Sequence, residues 1–195
     1  MSLDWNNAYE ENRMPWDKGE AAPPLMDFLE RAEMKGRVFV PGCGLGHDVR
    51  ALAEHGAEPL GFDISPKALE MAREIPPVGK EIYSEGDLFA LPESLKGAFD
   101  WVFEHTCLSA LHPEMRPDYI DALHSTLKPG GKMLAIYFLN PWDEGEIPEP
   151  PPYGIEINEI DAMIEGRFAS EEEWRPKSHY QGREGRELVR VMAGV

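Results

Sequence analysis

The chain has 195 residues, 42% of them hydrophobic, with 36 acidic and 19 basic side chains and a formal net charge of −17. That length and apolar content suit one compact domain with its own core, while so acidic a surface repels phosphate backbones and anionic lipid heads, which disfavours a nucleic-acid or membrane-surface partner and favours a small-molecule substrate. Cys43 and Cys107 are too few for a disulfide scaffold and lack zinc-site spacing, no apolar run approaches the ~20 residues of a membrane helix, and no basic stretch leads into an apolar core at the N-terminus, so the expected setting is a reducing cytoplasm and no metal is expected.

Residues 4–12 mix Trp5, Ala8 and Tyr9 with polar residues, the pattern of a short amphipathic helix. Met14-Pro15-Trp16-Asp17-Lys18-Gly19 breaks it. Pro23-Pro24 opens a second helix through Leu25, Phe28 and Leu29 to about Met34, and Gly36 stops it. Strands and helices then alternate. Arg37 to Pro41 reads as a buried strand, His47 to His55 as a helix ended by Gly56, and Pro59 to Ile64 as a second strand. Ser65 is the expected N-cap of a helix over Pro66 to Ile75. Ile82 to Ser84 and Phe99 to Phe103 are the third and fourth strands. Tyr119 to Leu127 is a helix stopped by Lys128-Pro129-Gly130-Gly131, and Lys132 to Phe138 is the fifth strand.

The rhythm then changes. Residues 140–153 hold Pro141, Pro148, Pro150, Pro151 and Pro152 with four acidic residues, a density no packed element tolerates. A long loop of this kind in a compact domain is often functional. Glu156 to Ile164 is the last helix. Arg167 to Trp174 and Glu187 to Met192 are closing strands, joined through Gly182 and Gly185 as an antiparallel hairpin. Glu171-Glu172-Glu173 reads as a solvated face. The alternation implies one α/β domain over residues 1–195. Its core, 35–195, is a doubly wound, seven-stranded, mostly parallel sheet, preceded by N-terminal helices within 1–34.

Gly42, Gly44 and Gly46 alternate between a strand and a helix, where a chain without Cβ atoms turns tightly and lets a ligand approach its backbone. A dinucleotide fingerprint needs its third glycine one position later, and His47 stands there. The spacing fits the phosphate-free cofactor of class I methyltransferases. Asp63 ends the second strand, where a carboxylate accepts hydrogen bonds from both hydroxyls of a ribose; its alternative role is to cap the next helix. Glu85-Gly86-Asp87-Leu88 follows the third strand. Asp87 there either accepts from an adenine amino group, with the Leu88 amide facing a ring nitrogen, or caps a helix.

Together these segments resemble the thiopurine S-methyltransferase family and, within it, the plant-type thiol and halide methyltransferases. The resemblance rests on Trp5…Tyr9…Pro15-Trp16-Asp17-Lys18-Gly19, on Val40-Pro41-Gly42-Cys43-Gly44-Leu45-Gly46-His47-Asp48, and on Gly61-Phe62-Asp63-Ile64-Ser65. It extends through Phe99-Asp100-Trp101-Val102-Phe103-Glu104-His105, His112-Pro113-Glu114-Met115-Arg116-Pro117, Lys128-Pro129-Gly130-Gly131 and Pro151-Pro152-Tyr153. It implies a Rossmann-like fold with an N-terminal helical lid, and a methyltransferase that uses S-adenosylmethionine. Trp5, Tyr9 and Trp16 would contact cofactor or substrate, since an aromatic face attracts a sulfonium and shields it from water. The alternative is that Trp5 and Tyr9 are the apolar stripe of a docking helix. Glu104 stands where relatives carry Asp, near the methionine part of the cofactor. His105 is the best-placed histidine for a base, or is held for structural reasons. Tyr153 would orient the methyl acceptor, or anchor its loop.

The expected acceptor is a small nucleophile, a thiol, a halide or a similar soft group. Methyl transfer to such a nucleophile needs proximity and exclusion of water more than a base. An oxygen or nitrogen acceptor would call for a clear base, with His105, Glu104 and Tyr153 as candidates. Two other classes stand as alternatives: a nicotinamide dehydrogenase, opposed by His47, and a non-catalytic cofactor binder.

Overall fold

The computed structural model describes residues 4–143, 145–146 and 149–195. Met1 to Leu3, Glu144, Ile147 and Pro148 lie outside them, and with them part of the expected proline-rich loop. Among the described residues seven strands form one sheet: β1 (Arg37–Pro41), β2 (Glu58–Asp63), β3 (Ile82–Glu85), β4 (Phe99–His105), β5 (Leu127–Phe138), β6 (Phe168–Trp174) and β7 (Glu187–Gly194). Their spatial order is β3-β2-β1-β4-β5-β7-β6. The first five run parallel, and β7 inserts antiparallel between β5 and β6. The order reverses beside β1, so a crevice opens between β1 and β4 at the C-terminal ends of the strands.

β1 is apolar and buried on both faces, as a central parallel strand must be. Helices cover each face. On one side α2 (Pro23–Arg31) and α3 (His47–Glu54) pack Leu25, Phe28, Val49 and Leu52 against Val38, Val40, Phe103 and Ile136. On the other, α6 (Arg116–Thr126) and α7 (Ile157–Ile164) pack Tyr119, Leu123 and Ile160 with Phe39, Val102, Met133 and Tyr137. The Phe39 ring lies 5.5 Å from that of Phe62 and 5.1 Å from that of Phe99. Ser65 caps α4 (Pro66–Glu74) by accepting the Ala68 amide at 3.0 Å, as its position before Pro66 predicts. α4 packs on β2 and β3, and α1 (Trp5–Glu10) packs on α4.

Several boundaries move. β4 extends through His105 because Glu104 and His105 pair with Ala135 and Ile136. A short helix, α5 (Cys107–Ala110), follows it, and α6 begins at Arg116. The expected stop at Lys128 to Gly131 is an irregularity inside β5: Leu127 pairs with Phe99, Lys132 with Trp101, and the residues between are extra. Glu171, Glu172 and Glu173 are exposed, and each meets a base: Lys132, Arg31 and Arg190. Among the described residues no helix is long and apolar enough to cross a membrane.

Candidate active site

The loop between β1 and α3 sits at the crevice. Gly42, Gly44 and Gly46 have φ of +57°, +50° and +73°, the left-handed region that glycine adopts without strain. All three are also closely approached. A Cβ on Gly42 would stand 2.8 Å from the Cys107 sulfur, one on Gly44 2.8 Å from the Tyr9 hydroxyl, and one on Gly46 2.5 Å from the Tyr83 hydroxyl.

Asp63 ties this loop to α4. Its Oδ2 accepts the Gly44 amide at 2.8 Å and its Oδ1 the Ser65 amide at 2.9 Å. The side chain is 7% exposed, and burial pushes its pKa up. Each oxygen keeps a further lone pair. Asp87 is exposed and caps the 3-10 turn Leu88–Ala90 through a bond from the Phe89 amide at 2.9 Å. Leu88 packs against the core beside α6. Sequence reasoning missed Ile64 and Phe89. They are 55% and 41% exposed, beside Asp63 and Asp87, on adjacent loops that the Gly86 amide joins by donating to the Asp63 carbonyl.

The N-terminal segment lies over the same edge. Trp16 donates its indole N–H to the Tyr9 hydroxyl at 3.1 Å, and the Trp5 and Trp16 rings meet edge-on at 5.3 Å. Tyr9 is buried, while Trp5 and Trp16 are half-buried. Asn6, another residue the sequence did not single out, anchors α1. Its Oδ1 accepts from the Ser65 hydroxyl and the Lys67 amide, each at 3.0 Å. Further along, Asp17 lies 3.1 Å from His47 Nε2, and the Ala22 amide donates to Asp48 Oδ1 at 2.7 Å.

Glu104 and His105 end β4, and successive strand residues point to opposite faces. They therefore do not act as a pair. His105 faces α3. Its Nδ1 is 2.9 Å from Asp48 Oδ2 and its Nε2 is 3.3 Å from Arg183 Nη1. A guanidinium only donates, so Nε2 accepts and Nδ1 carries the hydrogen given to Asp48. Arg183 also donates to Glu187 at 3.0 Å, and Tyr180 stacks on the histidine ring. Glu104 turns the other way, toward Tyr119 and Tyr137, and has no accessible surface. Its Oε1 accepts the Leu108 amide at 2.9 Å, and burial pushes its pKa up to about 7. In this arrangement its Oε1 supports α5. Cys43 and Cys107 are half-buried, and burial raises both thiols.

Tyr153 is half-buried on the Glu104 side. Its amide donates to the Ser109 carbonyl at 2.6 Å, and its ring meets His112 edge-on at 5.6 Å. Arg116 donates to the carbonyls of Tyr153 and Gly154 at 3.2 and 3.1 Å. The glycine loop, Asp63, the aromatic N-terminal segment and the loop bearing Tyr153 thus follow or cover the C-terminal ends of adjacent strands.

A model of the thiopurine S-methyltransferase family matches residues 2–190. This chain belongs to that family. It is 32% identical over 167 residues to thiocyanate methyltransferase 1 of Brassica oleracea, spanning 82% of this chain and 70% of the relative. It is 28% identical over 173 residues to thiopurine S-methyltransferase of Legionella pneumophila, spanning 80% and 77%. Among solved structures, the 1,6-didemethyltoxoflavin-N1-methyltransferase of Burkholderia thailandensis, with bound S-adenosylhomocysteine, shares the fold. The TM-score is 0.74 and the identity 18%, over 98% of this chain and 86% of that one. The family member described here is an S-adenosylmethionine-dependent methyltransferase with a Rossmann-like sheet, as its glycine spacing implies.

Proposed function

We propose that this enzyme transfers a methyl group from S-adenosylmethionine to a small soft nucleophile, a thiol, a halide or thiocyanate, held beside Tyr153. The observation that carries this reading is that two of the three candidate bases are engaged in the structure, which leaves the Tyr153 hydroxyl. Both His105 ring nitrogens have partners, Asp48 and Arg183, and Glu104 is fully buried with its Oε1 on the Leu108 amide. An alcohol or phenol acceptor needs a positioned base, whereas a halide or thiolate needs alignment and dryness. The names of the relatives support the same class: two act, by name, on thiocyanate and on thiopurines, and a third, from Arabidopsis thaliana, is a probable thiol methyltransferase.

The residues fit the cofactor. In this reading the Gly42–Gly46 backbone borders its amino-acid end, Asp63 receives the ribose hydroxyls on its remaining lone pairs, and Asp87 with the Leu88 amide meets the adenine. Exposed Ile64 and Phe89 offer apolar surface for that ring. The bound cofactor supplies an electrophilic methyl on a sulfonium. Trp5, Tyr9 and Trp16 cover that end and exclude water. Tyr153 orients the acceptor through its hydroxyl. His105 holds Asp48, and through it the Ala22 end of the lid, in place. The net charge of −17 supports a free small molecule over a nucleic acid as acceptor, and two free cysteines suit a reducing cytoplasm.

The test is methyl transfer from labelled cofactor to iodide, thiocyanate, bisulfide, an aromatic thiol, a phenol and an amine. Turnover of the sulfur and halide acceptors alone is expected. Transfer only to the phenol or amine would overturn the acceptor class, and tight cofactor binding without transfer to any of them would make the protein a binder.

A further inference from the structure

Arg116 is a base in an unusual place. It opens α6, it is 2% exposed, and its Nε is buried without a partner among the described residues. Burial lowers its pKa, against which Glu159 and Glu104 favour its charge. Taking a guanidinium out of water is costly, and this one spends its donors on a loop. Nη2 donates to the Tyr153 carbonyl at 3.2 Å and Nη1 to the Gly154 carbonyl at 3.1 Å. The guanidinium carbon lies 6.0 Å from the centre of the Tyr153 ring.

The loop it holds is irregular and is anchored at its C-terminal side by Ile155, buried in the core. Residues 149–156 form no helix or strand. On the N-terminal side of Tyr153 the attachment is its amide on Ser109, and on the C-terminal side it is the Ile155 amide on Leu139, at 2.9 Å. Between them the two peptide carbonyls are gripped by one planar fork. A fork constrains rotation as well as position, which a single point donor such as lysine does not.

We infer that Arg116 is a positioning residue: it sets the orientation of Tyr153 toward the methyl acceptor by clamping the two carbonyls that follow its side chain. The inference rests on the proposed role of Tyr153. A misplacement of about 1 Å in a group that aligns reactants costs up to roughly 100-fold in rate, so the clamp is a term in turnover.

The test is a double-mutant cycle of Arg116→Met and Tyr153→Phe, with Arg116→Lys as the conservative variant. For Arg116→Met the expected result is kcat lowered about 10- to 100-fold and a raised acceptor KM. Its affinity for S-adenosylhomocysteine stays near wild type, and hydrogen exchange speeds up in residues 149–155. Arg116→Lys recovers part of the loss. On the Tyr153→Phe background, Arg116→Met adds little further loss, because the hydroxyl it serves is gone. Two independent, multiplying losses would overturn the inference, as would normal kcat and KM in Arg116→Met. If Arg116→Met does not fold, Arg116→Lys carries the same cycle. A Tyr153→Phe enzyme with normal kinetics would remove the role of Tyr153 and the clamp together, which is distinct from a clamp that fails while Tyr153→Phe is slow.

Discussion

Glu104 illustrates how one residue can make stability depend on pH. Its folded pKa of about 7 lies above the ordinary 4.5. The native state therefore holds a proton that the unfolded chain releases, and stability falls as pH rises from about 4.5 through about 7, by roughly 3 kcal/mol in all. Glu104→Gln keeps a carbonyl oxygen for the Leu108 amide and cannot ionise. Thermal melts should show the variant more stable than wild type at pH 8, with the gain vanishing near pH 4.5. A constant difference across that range would mean that the Glu104 pKa is the same in the folded and the unfolded chain. At this scale the sequence was partly legible. The glycine spacing and Asp63 stood out because their roles are local to one strand–loop–helix unit. Asn6 and Arg116 did not, since each is defined by a partner far along the chain, Ser65 for one and Tyr153 for the other. The separation of Glu104 from His105 was available from strand alternation alone, once β4 is carried to its true end.

Among the elements, the N-terminal segment is the most separable. Its polar grip on the rest runs through Asn6 on the start of α4, Asp17 beside His47, the Glu20 carbonyl under the Tyr180 hydroxyl and the Ala22 amide on Asp48, and Ala8, Tyr9 and Ala22 are its buried apolar contacts. The central sheet keeps both apolar layers without it. Removing residues 1–16 should lower turnover far more than it lowers the melting temperature, measured side by side with cofactor affinity. Equal losses in both, or unchanged turnover, would refute a lid. The regular elements were legible wherever periodicity and punctuation agreed, as at β1 and at Ser65-Pro66. They were misread where tertiary pairing overrode local signals. The helix before Pro129-Gly130-Gly131 does stop, at Thr126, but those residues belong to β5, which starts at Leu127 and not at Lys132 because Leu127 finds Phe99 across the ladder. α5 is too short to leave a periodic trace.

For the whole molecule, the strand order reverses beside β1, and such a switch point is where ligands of open α/β sheets bind. A ligand that binds only the folded state raises its melting temperature, by about 2.7 kcal/mol of stability at 100 times its Kd. S-adenosylhomocysteine should therefore raise the melting temperature at micromolar to millimolar concentrations, and NAD should leave it unchanged because His47 fills the position where the pyrophosphate turn needs glycine. A shift with NAD alone would contradict the seat assigned to Asp63 and the glycine loop.

The alternation at the end of β4 has a consequence for how such an enzyme diversifies. His105 and its partners Asp48 and Arg183 lie on one side of the sheet, and Ser109, His112 and Arg116, which hold Tyr153, lie in one short stretch tied to the other. The stretch 107–116 and the loop 139–155 thus form an exchangeable cassette. If Tyr153 orients the acceptor as proposed, grafting both together between relatives would move the choice of nucleophile with them, with Cys107, which packs against Gly42, as the point of contact with the glycine loop. Grafted singly, the loop would arrive without its clamp. The sheet acts as a partition, and evolution can refurnish one room without disturbing the other.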